Sequence, residues 1–399
     1  MDRLAEITEI RVSQALSEVH TQKLRLIESG RDIIDLSMIN PDIAPPRPIL
    51  DRLVEATLKP YNHRYAVSRG IRKLREAFSL KYRAKFGVSL DPESEVCATL
   101  GTKDAIVQLV TGVLPKNRRV LLGSPTYPVF SAVLKVAGIP FDTFTIQSDE
   151  DRMVAEIQAL FRTHSYGAVL LNFPNNPTGI GVSQGFYEDL SRVVREHDTL
   201  VINDFVYGEM DRGQKSVSML SVPALRAIGV ETYSMSKAYS VPGWRVGGVC
   251  GASSIISKVV ALKSKMDYGL FLPIQSAAAF GLSSPVDYVR PVADEYRRRC
   301  ATLVRGLQAA GWACTIPEFG ASVWAELPVE LRSEGSGASV LKMLLDDGVC
   351  AMPGGIFGER WNTYVRFAAV ESEERIVEVV RRLSGSPVTG KSILEEARL

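Results

Sequence analysis

The sequence predicts an α/β fold with two parts: a large domain with a mostly parallel, helix-flanked sheet, and a smaller α+β domain made from both chain termini. Three observations predict it. Short β-rich segments alternate with helical ones through the middle of the chain. Several of these segments, such as residues 167–171 and 200–202, are apolar on both faces, as buried parallel strands are. Near residue 285 the pattern changes to short strands interleaved with helices.

The elements of the large domain follow from the alternation. We predict strands at residues 96–100, 119–123, 167–173, 199–203, 231–234 and 245–250. Helical spacing of the apolar positions predicts helices at residues 103–113, 129–137, 184–197 and 253–265. Strands that alternate with helices over this length favour one wound sheet with helices on both faces.

The smaller domain begins with a long, arginine-rich helix predicted over residues 288–310, in which Pro291 falls in the first turn, where proline is tolerated. Short strands (313–316, 322–326, 349–352, 363–367) and helices (337–345, 373–383) follow. Residues 40–48 are proline-rich and typical of a linker, so we expect the helix at residues 12–29 to pack on the C-terminal part. The predicted boundaries are 1–45 for the N-terminal arm, 46–287 for the large domain and 288–399 for the small one.

Composition excludes several classes of protein. The 399 residues are 46% hydrophobic and 23% charged, which is typical of globular chains. A net charge of +2 is too balanced for a protein whose main partner is nucleic acid or an anionic membrane. We find no secretory signal and no segment near the ~18 apolar residues of a membrane helix. Five widely spaced cysteines without a C-x-x-C pair indicate reduced thiols and a cytoplasmic protein.

Two further observations argue against other chemistries. The chain has four histidines, none in an H-E-x-x-H or recognisable nucleophile motif, so we expect neither a metal site nor a histidine-dependent hydrolase. Residues 385–392 match the phosphate-loop pattern G-x-x-x-x-G-K-S, but a predicted helix, not a strand, precedes them. We therefore interpret them as a solvated tail.

Candidate chemistry centres on Lys237, which follows Ser234 and Ser236 at the end of a β-rich run. Burial at a strand end lowers the pKa of a lysine amine, and a neutral amine is what Schiff-base chemistry with an aldehyde cofactor requires. The two hydroxyls and Arg245 are suited to holding a phosphate. Alone the motif is weak, because surface lysines after two serines are common.

Asp204 ends another apolar run, with Tyr207 three residues later. A carboxylate at the carboxyl end of a strand can pair with a protonated pyridine nitrogen; the alternative is a helix cap or loop salt bridge. Gly101, Thr102 and Lys103 join a predicted strand to a helix, so their backbone N–H groups either cradle a phosphate or form an ordinary turn.

Three more side chains are candidates for binding. Asn176 lies in a strand-to-loop segment that is either a simple turn or a donor to a phenolic oxygen, and Tyr127 lies between two prolines that would hold its ring for stacking. Arg366 is a lone arginine on an apolar strand. Because buried arginine is rarely unpaired, Arg366 meets either an internal acid or a substrate carboxylate.

Together these motifs resemble the pyridoxal-phosphate-dependent aminotransferases of the aspartate aminotransferase fold. The resemblance runs from about residue 35 to residue 368, and the motifs occur in the family's order: Tyr65 to Gly70, Gly101 to Lys103, Asn176 to Gly179, Asp204 with Tyr207, Ser234 to Arg245, and Arg366. Residues 65–70 and 267–271 are similar to the branch that contains alanine and LL-diaminopimelate aminotransferases.

The resemblance implies roles for these residues. Lys237 would carry pyridoxal 5'-phosphate and then act as general acid and base, and Asp204 would pair with the pyridine nitrogen. Tyr207 and Asn176 would contact the ring oxygen, and Tyr127 would stack on the ring. The phosphate would be bound by Thr102, Lys103 (through its backbone), Ser234, Ser236 and Arg245.

Two positions extend the resemblance beyond the cofactor. Tyr65 would reach the phosphate of the neighbouring subunit, which implies a homodimer with shared active sites, and Arg366 would bind the substrate α-carboxylate. Ile39 departs from the family, since glycine is usual at this position in the segment that closes over the substrate. Its branched side chain would fill space beside the amino acid or force the segment outward.

We therefore expect an aminotransferase that works on an L-amino acid and a 2-oxo acid in ping-pong half-reactions. A lyase, or an amino-acid cyclase or synthase, with the same cofactor is the alternative, because the motifs mark the cofactor better than the reaction. A cofactor-binding DNA regulator would need a helix-turn-helix module, and the region before residue 35 is about one helix long.

Overall fold

The computed structural model describes residues 14–211 and 216–384. The strands are β1 (Ile34–Asp35), β2 (Val96–Thr99), β3 (Arg119–Ser124), β4 (Phe141–Thr145), β5 (Tyr166–Leu171), β6 (Leu200–Asp204), β7 (Gly229–Ser234), β8 (Gly247–Gly251), β9 (Ala313–Cys314), β10 (Ser322–Glu326), β11 (Val349–Cys350), β12 (Met352–Pro353) and β13 (Tyr364–Ala368).

The helices are α1 (Gln14–Glu28), α2 (Arg47–Thr57), α3 (Arg72–Phe86), α4 (Thr102–Gly112), α5 (Val129–Val136), α6 (Glu150–Thr163), α7 (Gln184–Arg195), α8 (Pro223–Ile228), α9 (Met235–Ala238), α10 (Ser253–Met266), α11 (Leu272–Ser283), α12 (Val289–Ala309), α13 (Gly335–Asp347) and α14 (Glu373–Ser384). Short 3₁₀ segments include Gly354–Phe357 and Glu359–Trp361.

The large sheet has seven strands in the order β2-β8-β7-β6-β5-β3-β4. Strands β3 to β7 pair in parallel, and β8 is antiparallel to both of its neighbours. Strands β5 and β7 are buried along their whole length, and helices pack apolar residues onto both faces of the sheet. The mostly parallel, helix-flanked sheet confirms the predicted fold class.

A smaller α+β unit forms around a four-stranded sheet, β12-β13-β10-β9, whose neighbouring strands are antiparallel. The N-terminal part of the described chain joins it: β1 pairs in parallel with β11, and Val19 of α1 lies in the same core as Val340 of α13. The domain boundaries at 45/46 and 287/288 stay a prediction. Helix α12 packs into both cores, through Val292 into the large one and Leu303 into the small one.

Several predicted elements differ in detail. The strand predicted at 245–250 begins at Gly247, because Arg245 has a left-handed backbone with φ of 56°. The strand predicted at 349–352 is two short strands, because the chain changes its pairing partner there: β11 pairs with β1, and β12 pairs with β13.

Strand β4 and helices α2, α3, α6, α8 and α11 are not among the elements predicted from the sequence. Strand β4 is a half-exposed edge strand without a continuous apolar run. For α6 a signal was present: Asp149 caps the helix by accepting a hydrogen bond from the backbone N–H of Arg152.

Two expectations from the sequence concern other parts of the chain. The phosphate-loop match at residues 385–392 lies outside the described residues. In the portions that the structure describes, we find no helix with both the length and the apolar character needed to cross a bilayer.

Packing between α12 and α14 gives a test of the small core. A methyl group added at Gly306 would collide with both methyls of Val380. We expect Gly306→Ala to lower the free energy of unfolding by about 1–3 kcal/mol through overpacking, measured by urea denaturation. Gly185→Ala in α7 is the matched control, because its new methyl would come no nearer than 3.4 Å to another side chain. Equal losses in the two variants would contradict the packing argument.

Candidate active site

The candidate residues meet at one edge of the seven-stranded sheet. Strands β2, β3, β5, β6 and β7 all end there, and parallel strands place their carboxyl ends at the same edge, where α/β proteins bind ligands. The loops that follow these strands carry the side chains singled out from the sequence.

Asp204 is the last residue of β6 and is only 5% exposed. The hydroxyl of Thr232, its register partner on β7, donates a hydrogen bond of 2.5 Å to Asp204 Oδ1. No lysine, arginine or histidine in residues 14–211 and 216–384 pairs with this carboxyl. Burial raises the pKa of Asp204 to about 7. The site thus holds an acid that a cationic N–H group would stabilise.

Lys237 lies in α9, the turn of helix that follows β7 directly. Ser234 caps this helix by accepting a hydrogen bond of 3.1 Å from the N–H of Ser236. The Lys237 amine donates to the carbonyl oxygen of Ile39. Burial, and then the positive charges of Arg366 and Arg245, lower the pKa of Lys237 to about 8. The amine therefore loses its proton close to neutral pH.

Gly101 and Arg245 form a cradle beside Lys237. Gly101 precedes α4 with φ of 80°, and a Cβ added there would lie 2.5 Å from Arg245 Nη2. Ser234 and Ser236 are buried near this point, since Ser234 pairs with Gly247 across β7 and β8 and Gly247 packs against Gly101.

The backbone N–H groups of Thr102 and Lys103 lie in the first turn of α4, where helix geometry leaves them without an intrahelical acceptor. A helix N-terminus with an arginine alongside is suited to binding an anion such as a phosphate. Of the two possibilities left by the sequence, this arrangement favours the phosphate cradle over an ordinary turn.

Arg366 of β13 is buried, with 4% exposure, and all its hydrogen-bond acceptors are neutral. Its Nη1 donates to Asn176 Oδ1 at 2.9 Å and its Nη2 donates to the carbonyl oxygen of Ser37 at 2.6 Å. Its Nε is buried without a hydrogen-bond partner among the described residues, and its guanidinium lies over the ring of Phe357, 5.1 Å from the centroid. Burial lowers the pKa of Arg366 to about 10. The described residues thus provide no internal acid for it.

Two phenols lie near this arginine. Tyr207 and Tyr127 are close enough to Arg366 for their charges to influence its pKa. Tyr207 is buried, which raises the pKa of its hydroxyl above the ordinary value. Tyr127 is half-buried and meets Phe130 edge-on, with ring centroids 5.9 Å apart. Both tyrosines therefore lie in the neighbourhood of Arg366.

Ile39 and Tyr65 have different placements. Ile39 is buried at 7% exposure in the large core, and its carbonyl contacts the Lys237 amine, so the segment around it is not forced outward. Tyr65 is 84% exposed and its ring contacts that of Tyr268 at 4.6 Å. A single chain therefore brings together every predicted cofactor residue except Tyr65.

Sequence reasoning missed three residues that orient the site: Asn172, Thr232 and Ser37. Asn172 donates to the backbone oxygen of Asp204 and accepts from the backbone N–H of Asn176, both at 2.9 Å. Its place directly after β5 was the available signal. Thr232 was detectable only through the register of β6 and β7, and Ser37 contributes only a carbonyl, which no sequence pattern marks.

Lys237, whose pKa is lowered by burial to about 8, and Asp204, a buried carboxyl without a cationic partner among the described residues, lie at the same edge of the sheet. This arrangement suits an enzyme of the pyridoxal-phosphate-dependent class. Pyridoxal 5'-phosphate fits these residues, because Asp204 needs a cationic N–H and the Gly101 cradle admits a phosphate. The family described as aminotransferase class I and II matches residues 31–383. The chain belongs to this family and is a pyridoxal-phosphate-dependent aminotransferase.

Known relatives match almost the whole chain. The glutamate-pyruvate aminotransferase AlaC of Escherichia coli (strain K12) is 35% identical over 386 residues, 94% of this chain and 93% of that protein. The LL-diaminopimelate aminotransferase of Nitratidesulfovibrio vulgaris (strain Hildenborough) is 31% identical over 366 residues, 91% and 93% of the two chains. The substrate-bound structure of BacF from Bacillus subtilis has a TM-score of 0.86 at 27% identity, covering 95% of this chain and 96% of that one.

The raised pKa of Asp204 gives a test on the cofactor-free protein. The pKa of Asp204 is 3.8 in the unfolded chain and about 7 in the folded protein. Between pH 3.8 and about pH 7 the folded state therefore keeps a proton that the unfolded chain releases, so the carboxyl destabilises the fold increasingly as the pH rises through this range. We expect Asp204→Asn to stabilise the cofactor-free protein by about 2–4 kcal/mol near pH 8 and by less near pH 5. Thermal unfolding at the two pH values measures this, and the same variant should retain cofactor poorly.

Asp142→Asn is the matched control, because Arg119 holds the pKa of the Asp142 carboxyl below its usual value. Removing that carboxylate should therefore destabilise the protein near pH 8. If Asp204→Asn also destabilised the cofactor-free protein near pH 8, Asp204 would have to be ionised and stabilised there, against the burial argument.

Proposed function

We propose that the chain moves an amino group between an L-amino acid and a 2-oxo acid in two half-reactions, with Lys237 as the proton carrier. The observation that carries this proposal is the neutral surroundings of Arg366, a buried cation within reach of the lysine site. Such a cation is suited to the α-carboxylate that every amino acid and 2-oxo acid presents.

Four groups would hold the cofactor ring. Asp204 would pair with the pyridine nitrogen, which would relieve the cost of its burial. Tyr207 and Asn176 would contact the ring oxygen, and Tyr127 would stack on the ring. The phosphate ligands we propose are the backbone N–H groups of Thr102 and Lys103, the hydroxyls of Ser234 and Ser236, and the Arg245 guanidinium.

When bound, pyridoxal 5'-phosphate supplies an aldehyde for the amino group and a ring that withdraws electrons from the substrate α-carbon. Lys237 acts as a general base that removes the α-proton, and its lowered pKa suits this task near neutral pH. Arg366 binds the α-carboxylate, for which its Nε is available because it has no acceptor among the described residues. Ile39, buried beside the lysine, limits the space for the substrate side chain.

For substrates, the first pair to test is glutamate with pyruvate, which the name of the AlaC relative specifies for that protein. LL-diaminopimelate is the second candidate donor, from the names of other relatives. We place this chemistry in amino-acid metabolism in the cytoplasm. The free cysteines Cys97, Cys250, Cys300, Cys314 and Cys350 agree with a reducing compartment.

We also propose a homodimer with shared active sites. An exposed group of apolar side chains, which we call the aromatic surface, consists of Leu58, Tyr61, Tyr65, Tyr268 and Phe271. Contiguous exposed apolar residues of this kind mark interaction sites. In this proposal a second copy covers the aromatic surface, and Tyr65 reaches the phosphate cradle of its partner.

Lys237→Ala tests the proposed reaction directly. We expect the parent protein to be yellow and borohydride to fix the cofactor to it. The variant should lose the lysine-linked absorbance, the fixation and about 10³-fold or more of the activity, because both nucleophile and base are removed. Lys258→Ala, an exposed lysine on α10, is the control and should behave as the parent.

If borohydride still fixed the cofactor to the Lys237→Ala variant, the assignment of Lys237 as the cofactor-carrying lysine would be wrong. With one amino acid and no 2-oxo acid, the parent should stop after one turnover per site. Continued turnover under that condition would show elimination instead of amino transfer.

Mixed dimers test the shared site. Tyr65→Ala and Lys237→Ala subunits, each of low activity alone, should recover about a quarter of the parent activity when exchanged in equal amounts, because half of the random dimers are mixed and each has one unaltered site. Tyr61→Ala, on the same surface, is the control and should be active by itself. If mixed dimers form but no activity returns, Tyr65 does not act across the interface.

A further inference from the structure

We propose that residues 354–361, which we call the clasp, position Arg366 relative to the cofactor ring by tying the small sheet to the loop after β3, and that Trp361 is the key positioning residue. The inference rests on the carboxylate-binding role proposed for Arg366. The clasp comprises the two 3₁₀ segments Gly354–Phe357 and Glu359–Trp361 with Gly358 between them.

Three hydrogen bonds join the clasp to the end of β3 and the loop that follows it. Trp361 Nε1 donates to Ser124 Oγ at 3.0 Å, and Arg360 Nη2 donates to the Ser124 carbonyl oxygen at 3.2 Å. The backbone N–H of Thr126 donates to the Phe357 carbonyl oxygen, also at 3.2 Å. Ser124 and Thr126 are both buried, while Trp361 is half-buried and Arg360 is exposed, so these bonds are partly shielded from water.

The other side of the clasp contacts Arg366. Phe357 is buried, and its ring faces the Arg366 guanidinium at 5.1 Å. Trp324, the register partner of Arg366 on β10, packs its ring against Phe357 at 5.4 Å and Trp361 at 6.4 Å. The aromatic side chains therefore form a continuous path from the Ser124 contact to the guanidinium.

The loop held by the clasp also reaches the cofactor side of the site. It leads to Tyr127, proposed to stack on the ring, and the Pro125 carbonyl accepts a hydrogen bond of 3.1 Å from Asn175 Nδ2. The next residue, Asn176, accepts from Arg366. Through these contacts Arg366 and the loop that carries Tyr127 are each held by the clasp, which thereby sets the distance between the two side chains.

Gly358 shows how closely the parts of the clasp approach. Its φ is 139°, in the region that favours glycine, and an added Cβ would lie 3.0 Å from Trp361 Cδ1 and 3.1 Å from Ser124 Oγ. The absence of a side chain at this position lets the indole reach the serine. The indole contacts Ser124 and neighbouring rings, which makes Trp361 a positioning residue with no part in proton transfer.

Trp361→Phe tests the clasp, because it keeps an aromatic ring and removes the indole N–H. We expect KM for the amino acid to rise about five-fold, with kcat and the absorbance of the resting enzyme unchanged. The reason is the loss of one hydrogen bond that holds the clasp, and with it Arg366, in position. The amino-acid dissociation constant, measured by absorbance titration, should rise by the same factor. Ser124→Ala should reproduce the effect from the other side of the bond.

The double variant Trp361→Phe/Ser124→Ala should raise KM no further than either single variant, because both remove the same bond. Trp312→Phe is the matched control: Trp312 packs on Phe367 in the small core and should alter stability without altering KM. A KM equal to that of the parent in Trp361→Phe and Ser124→Ala, or effects that multiply in the double variant, would overturn the proposal.

Arg366→Gln separates failure of this inference from failure of the proposed function. If Arg366→Gln leaves the amino-acid dissociation constant unchanged, the carboxylate-binding role is wrong and the clasp loses its purpose. If Arg366→Gln raises that constant while Trp361→Phe and Ser124→Ala do not, the function stands and only the clasp is wrong.

Discussion

Burial of charge at the carboxyl edge of the seven-stranded sheet is the constraint on which the rest of the structure depends. Asp204, Lys237 and Arg366 lie there, and none forms an ion pair with the residues that the structure describes. Unpaired charges in a protein interior are costly, so burial favours the neutral form of each group. It raises the pKa of Asp204 to about 7 and lowers the pKa of Lys237 to about 8. The two apolar cores around this edge have to offset that cost.

Neutral groups hold these charges in place. A threonine hydroxyl donates to Asp204, and the carbonyl of Ile39 accepts from Lys237. Arg366 has an amide and a carbonyl as partners. Partners of this kind orient a charged side chain and leave its charge available to a cofactor or substrate, which an internal salt bridge would not.

Neutral hydrogen-bond partners also hold the buried polar side chains of β6 and β7 behind the site. Asn203 of β6 accepts from the backbone N–H of Phe173 at 2.8 Å and donates to its carbonyl at 3.0 Å. Glu231, fully buried on β7, accepts in turn from Asn203 at 3.2 Å and from the backbone N–H of Met219 at 2.7 Å. This network fixes the start of the loop that carries Asn172 and Asn176, and Asn176 in turn accepts a hydrogen bond from Arg366.

The sequence by itself determined the central strands and the residues at their ends. Runs that are apolar on both faces identify buried parallel strands, and polar side chains at or shortly after their ends, such as Asp204 and Lys237, fall at the binding edge of such a sheet. Edge strand β4 escaped prediction because its half-exposed residues form no apolar run. Only the tertiary structure shows that no acid among the described residues pairs with Arg366. Its contacts are with Ser37, 329 residues away, and Asn176, 190 residues away, and such groups meet only once both ends of the chain share one core.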